Sequence, residues 1–422
     1  MGTLVVGLGM LALGVPVAVT IGICAILALA ISGTPILVVP QQFFANLNKF
    51  ELLAIPFFML TGAVMDTGGI SRRLIDFAQS LVGFVRGGLG MVTVVASLFF
   101  ADISGSATAD TAAIGSVMIP GMVARGYAVP FATALQSASG SLGLLFPPSM
   151  CSIVYAYVAN VSVGKMFIAS FLPGLLVAVS FMVVNYITAI KRNYSAVQEF
   201  SLRTIWKSFK NAAFALIAPM IILGGILGGL FTPTESGVIA ACYVIVISKF
   251  AYKELTFANF KTILIKTVIN TTRVSFLLGL AFVLGAFLIR ERIAHQVASS
   301  LLQMTSNKLL LLLLINVFLL IIHTMLETIS SIIVVLPVIL PVITSMGLDP
   351  VAFGIIVLVN SAVGINMPPI GFCLYTASSI SNVPLEQAFR AILPFIFALL
   401  IDLSIVILFP QISLALPKLF HM

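Results

Sequence analysis

Of 422 residues, 60% are hydrophobic and only 8% charged, with a mean hydropathy of +1.21. Soluble domains carry about 25% charged residues, so an aqueous fold is excluded. The formal net charge of +8 does not indicate nucleic acid, because the basic residues are confined to short spacers between apolar runs.

The opening segment, 1–30, is apolar and lacks a basic leader, which predicts a first membrane helix that stays attached rather than a cleaved signal peptide. Later runs such as Met166–Ile190, Ala212–Leu230, Leu309–Ile322 and Ala388–Phe409 approach the roughly 20 residues a helix needs to cross a bilayer. Nothing alternates over the ten or so residues of a membrane β-strand. The fold class is therefore an all-α polytopic membrane protein.

Two basic clusters, Lys191 to Lys210 and Lys249 to Lys266, flank one apolar stretch, and the positive-inside bias puts both in the cytoplasm. Residues 212–248 then cross out and back, turning near Phe231-Thr232-Pro233-Thr234-Glu235. The polar segment 191–211 holds the single Trp, Trp206, and reads as a cytoplasmic or interfacial connector between membrane halves 1–190 and 212–422. Cys24, Cys151, Cys242 and Cys373 form no C-x-x-C pair, which favours packing over a metal site or disulfide framework.

The two halves match at a nearly constant spacing. Pro120 and Pro341, Pro147 and Pro368, Pro148 and Pro369, Pro173 and Pro394, Gly126 and Gly347, and Gly143 and Gly364 are each 221 positions apart. Shared breaks mean shared bends, as in transporters built from internal repeats, here expected to be inverted.

Polar residues gather at two places in each half. One is the segment 102–111, matched by 323–331; the other is 137–149, matched by 360–369. Each of the second pair ends in Pro-Pro, which removes two backbone donors, so carbonyls of residues 143–146 and 364–367 are expected to lack intrahelical partners. Such carbonyls beside Ser, Thr and Asn oxygens suit a hard cation such as Na⁺, and half-helix N-termini suit an anion. The candidate cation ligands are Ser106, Thr108, Gly143, Pro147, Glu327, Thr328, Gly364, Asn366 and Pro368. Ser104, Gly105, Ser106, Thr108, Asn360 and Ser361 are the candidate substrate contacts. Asp102, Asp110, Glu235 and Glu327 are acids within apolar sequence and hence functional candidates, although Glu235 can equally cap a helix. His295 and His323 read as structural, and Arg72, Arg73, Arg290, Glu291 and Arg292 as membrane-boundary residues.

The run Ser104-Gly-Ser-Ala-Thr-Ala-Asp, then Met118-Ile-Pro, Phe231-Thr-Pro-Thr-Glu-Ser-Gly, Leu336-Pro337 with Leu340-Pro341, and the two Pro-Pro loops resemble the large membrane subunit of tripartite ATP-independent periplasmic (TRAP) transporters. The resemblance spans essentially the whole chain. It implies a Na⁺-coupled, elevator-type importer of a small organic anion in the bacterial inner membrane. It also implies two partners, a small membrane subunit and a soluble periplasmic binding protein, and makes the polar segments re-entrant hairpins and unwound helices around the sodium and substrate sites. Many dicarboxylate carriers of the family have Asp-Pro where this chain has Glu327-Thr328, so a C4-dicarboxylate and a sialic or other sugar acid both stay open.

No G-x-x-x-x-G-K-[ST] loop occurs, which argues against ATP coupling. Ser104-Gly-Ser-Ala-Thr does not fit the G-x-S-x-G elbow, which argues against an intramembrane hydrolase and against an enzyme generally. A single-polypeptide anion carrier and a channel are the remaining alternatives.

Overall fold

The computed structural model describes residues 6–7, 9–10, 13–291, 296 and 307–420, without the side chains of 102–104 and 289. His295 and Arg292 lie outside the described residues, as do the side chains of Asp102 and Ser104. The first half contains α1 (Val17–Ile31), α2 (Val38–Leu47), α3 (Ala54–Thr67), α4 (Ile70–Val82), α5 (Gly88–Ser104), α6 (Ala107–Ala124), α7 (Val129–Gly140), α8 (Met150–Ala159) and α9 (Val163–Lys191). The second contains α10 (Leu202–Leu227), α11 (Pro233–Val246), α12 (Phe257–Arg290), α13 (Lys308–Met325), α14 (Thr328–Ser345), α15 (Pro350–Gly364), α16 (Phe372–Ser381), α17 (Leu385–Leu408) and α18 (Gln411–Leu419).

Among the described residues, nine helices are long and apolar enough to cross a bilayer. A further pair, Val129–Leu145 with Met150–Ala159, bends by 41° at the first Pro-Pro. In α13, Leu311, Leu312, Ile315 and Leu319 face the interior, while Leu310, Leu314, Val317 and Ile321 are exposed and equally apolar. A helix greasy on both faces needs lipid on the outer one.

Helix limits follow the spacing seen in the sequence. Both ends of α6 and α14 differ by 221, and so do the starts of α7 and α15. The starts of α9 and α17 differ by 222, as do Asn160 and Asn382, each ending its helix at φ 54°.

Packing crosses between the halves. Helix α8 lies along α14, and α16 along α6; α1 lies along α12, and α11 along α3. At the centre run α7 and α15, every residue of 131–140 and 351–364 being buried. Helix α15 starts cleanly because the Asp349 carboxylate accepts the Val351 N–H at 2.7 Å and Pro350 needs no partner.

The connector differs from a simple linker. Residues 202–211 already belong to α10, which runs on into the membrane, and Ser201 caps it by accepting the Thr204 N–H. The turn expected at 231–235 is present as a reciprocal cap. The Thr232 hydroxyl accepts the Glu235 N–H at 3.3 Å, and the Glu235 carboxylate accepts the Thr232 N–H at 2.8 Å. Thr232→Ala should lower stability by about 1 kcal/mol in detergent unfolding. Glu235→Gln, whose amide oxygen still accepts, should leave transport intact; a transport defect at normal stability would give Glu235 a role beyond the cap.

Candidate substrate and cation site

Gly105 ends α5 with φ +57°, and a side-chain carbon there would stand 2.7 Å from the Met150 nitrogen. Only glycine lets the start of α8 approach this closely. Ser106 follows in extended conformation, its hydroxyl 3.3 Å from that of Thr108, both half-buried. Further into α6, Asp110 and Thr111 are fully buried and abut the segment before the first break. Gly143 lies against the Asp110 carboxylate and Gly140 against Thr111.

The α13–α14 junction is the counterpart. Glu327 precedes α14 as Ser106 precedes α6, and its carboxylate accepts the Ile329 N–H at 3.1 Å. Negative charge is favoured at that helix end. Thr328 is buried beside it, and Gly364 packs on His323, whose carbonyl carbon would lie 2.8 Å from an added carbon.

Asn360 and Ser361 hold that histidine. His323 Nδ1 lies 2.9 Å from Asn360 Oδ1, and Nε2 lies 2.9 Å from Ser361 Oγ. A carbonyl oxygen only accepts, so Nδ1 donates and Nε2 of the neutral ring receives the Ser361 proton. The Asn360 amide nitrogen donates to the Asn316 carbonyl at 2.9 Å and its side-chain oxygen at 3.0 Å. The two residues expected at the substrate thus form a closed network, and the structural reading of His323 agrees with it.

Three carbonyls expected to be open at the breaks have protein donors. Ser149 Oγ donates to Leu144 O at 2.8 Å, Met367 N to Gly364 O at 3.0 Å, and Cys373 N to Ile365 O at 3.1 Å. Each keeps a second lone pair. Asn366 links the two breaks, accepting from Ser137 and donating to Ala362 O at 2.8 Å. Pro147 is buried whereas Pro368 is exposed.

The halves meet at two cysteines. Cys373, in the first turn of α16, is fully buried where that helix packs on α6. Cys151, in the first turn of α8, is buried where that helix packs on α14. They occupy one position of the two halves, 222 residues apart. Ser139 of α7, Ser152 of α8 and Thr328 and Ser331 of α14 have buried hydroxyls without a protein hydrogen-bond partner. Among the described residues no group of three His, Cys, Asp or Glu could hold a metal ion. Hydroxyls, carbonyls and two carboxylates instead offer the oxygen ligands that hard cations take.

Asp402 escaped the sequence reading, although one acid inside the run 388–409 was signal enough. It is buried in α17, and Ser180 of α9 donates to its carboxylate at 2.8 Å. These two residues are also 222 apart, so the same position of each half meets at the helix crossing.

Two halves with broken helices around a buried, oxygen-rich centre define the architecture of a membrane carrier. The family model for the DctM component of the tripartite ATP-independent periplasmic transporter matches residues 4–412, and the chain belongs to that family. It is 38% identical over 414 residues to the sialic acid TRAP transporter large permease protein SiaM of Vibrio cholerae, covering 98% of this chain and 97% of that one. It is 39% identical over 377 residues to the C4-dicarboxylate TRAP transporter large permease protein DctM of Pseudomonas aeruginosa, covering 89% and 88%. It is also 38% identical over 406 residues to the isethionate TRAP transporter permease protein DctMQ of Oleidesulfovibrio alaskensis, covering 96% of this chain but 64% of that protein's length. In fold it is similar to the YdaH transporter of Alcanivorax borkumensis, with a TM-score of 0.63, 16% identity and 87% of each chain covered. The chain is thus a multi-pass inner-membrane permease and not an enzyme.

Asn360→Ala should cost about 1–3 kcal/mol, because it leaves His323 and Asn316 buried with unmet hydrogen bonds. Thermal unfolding in detergent reads this; an unchanged midpoint would remove the network from the list of stabilising features.

Proposed function

We propose that the chain is the translocating subunit of a secondary transporter that imports a small organic anion together with Na⁺, receiving it from a periplasmic binding protein and working beside a small membrane subunit. The observation that carries this reading is the matched polar junction of the two halves: Asp110 buried in α6 against Gly143 and Glu327 capping α14, with α16 and α8 crossing between the halves to pack on these two helices. No Lys or Arg occurs in 104–111, 137–149, 327–331 or 360–369. Two carboxylates among buried hydroxyls attract cations and repel an anion, so Na⁺ enters first and its charge, with the N-termini of α6 and α14, then admits the substrate.

Ser106, Thr108 and the Gly143–Pro147 stretch supply oxygens in one half, and Glu327, Thr328, Gly364, Asn366 and Pro368 the corresponding positions in the other. On this reading the anion meets the start of α6, beside Gly105 and the Ser104 backbone. Relatives of almost equal identity are named for sialic acid, a C4-dicarboxylate and isethionate, so the common denominator is an organic anion. An elevator-type movement is supported by the unlike settings of the two breaks: the one at Pro147 is buried and the one at Pro368 exposed. Exchange of those settings would expose the site alternately to the two sides.

In proteoliposomes, Asp110→Asn or Glu327→Gln should raise the Na⁺ concentration for half-maximal uptake at least roughly tenfold, the loss of about 1.4 kcal/mol. Substrate affinity at saturating Na⁺ should change less. Unaltered Na⁺ dependence in both variants would rule out the carboxylates as cation ligands. The chain reconstituted alone should take up anion poorly, and addition of the small subunit and a loaded binding protein should restore uptake. Saturable uptake by the chain alone would make it a single-polypeptide carrier.

A further inference from the structure

Away from the translocation centre, a cavity of about 780 Å³ opens between α4, the start of α10 and Tyr252–Glu254. Its volume falls in the roughly 300–1,000 Å³ range of small-ligand sites. It lies between the two basic clusters that the positive-inside bias places in the cytoplasm. Arg72, Arg73, Lys207 and Lys210 line it, against Asp76 and Glu254.

The partners of these charges decide what the cavity can take. Arg73 is committed: it donates to Glu254 at 2.8 Å and to Gly69 O at 2.6 Å, and its guanidinium lies 3.7 Å from the centre of the Tyr252 ring. Arg72, Lys207 and Lys210 enter no ion pair among the described residues. Lys210 stands over the Trp206 ring at 5.3 Å. The cavity therefore keeps three cations against Asp76, with Ser208 and Asn211 as further donors.

One flank is not aqueous. Trp206 is stacked on Phe209, and both are exposed, as is Phe214 further along α10. Beyond them α10 continues as an apolar span. Helix α4 buries Ile70, Leu74, Phe77 and Ala78 and turns Arg72 and Asp76 outward, the pattern of a helix lying in the interface. A cationic basin at headgroup depth beside an aromatic, lipid-facing wall fits an amphiphile with a phosphate at one end and acyl chains at the other.

We propose that this cavity binds the phosphate headgroup of an anionic phospholipid of the cytoplasmic leaflet, with the acyl chains running along Phe209 and Phe214. The bound lipid clamps α4 of the first half to the start of α10 in the second. A soluble phosphate shares the headgroup chemistry but gains nothing from the aromatic wall, and that difference separates the two sources.

The test is thermal unfolding of the purified chain in detergent micelles titrated with phosphatidylglycerol, phosphatidylcholine or inorganic phosphate. Phosphatidylglycerol should raise the midpoint saturably, while the other two should not. In the Arg72→Gln/Lys207→Gln variant the lipid concentration for half the effect should rise about thirtyfold, the equivalent of about 1 kcal/mol per removed charge. Lys249→Gln/Lys261→Gln, on the same face but outside the cavity, should respond as wild type. Equal weakening by both double variants, stabilisation by phosphate alone, or an equal response to phosphatidylcholine would overturn the proposal. Should the Arg72/Lys207 variant fail to fold, Arg72→Lys/Lys207→Arg, which keeps the charges, takes its place and should retain the lipid selectivity; its loss would count against the site equally.

Discussion

A helix interrupted inside hydrocarbon exposes N–H and C=O groups that lipid cannot satisfy, and this constraint organises the whole centre of the protein. Each interruption is answered locally. Ser149 reaches back to the Leu144 carbonyl, the Cys373 N–H bonds Ile365 O, and Glu327 covers the first N–H groups of α14. These answers need the backbone to come close, which explains the glycines: Gly140 and Gly143 admit Thr111 and Asp110, and Gly364 admits His323. A methyl group at any of the three would push a break away from the polar residues that complete it.

Closeness across the halves follows. Helix α8, which follows the first break, packs more extensively on α14 than on any one helix of its own half, and α16 packs on α6. Each half thus supplies the post-break helix that the other half's polar junction requires. The crossing of α9 and α17, where Ser180 and Asp402 meet, places one polar contact at the equivalent point of both halves.

The spacing of prolines and glycines was the most legible feature, because residues that break helices are chosen by backbone geometry and tolerate little substitution. The same offset of 221 separates both ends of α6 from those of α14. The crossed packing was not legible, since nothing in an apolar run states which other run it touches. Asn360 and Ser361 were read from the sequence as substrate contacts; their hydrogen bonds to His323 depend on the register of α13 against α15, which the sequence does not state. Asp402 was readable and was hidden only by the hydrophobicity around it.

On the proposed reading, the sign of the charge at the centre fixes the order of events. An organic anion placed about 6 Å from one carboxylate is repelled by about 3 kcal/mol at an effective dielectric of about 20, a penalty of more than a hundredfold in occupancy. Helix N-termini contribute about half a charge each and fall off within a turn, so α6 and α14 alone do not offset two acids. One cation bound at these carboxylates, together with the half charge of each helix end, brings the centre to about neutrality and removes the repulsion. Coupling then requires no separate latch. A site holding the anion alone carries the full repulsion and is scarcely populated, and a carrier that does not populate that state does not move substrate without its ions.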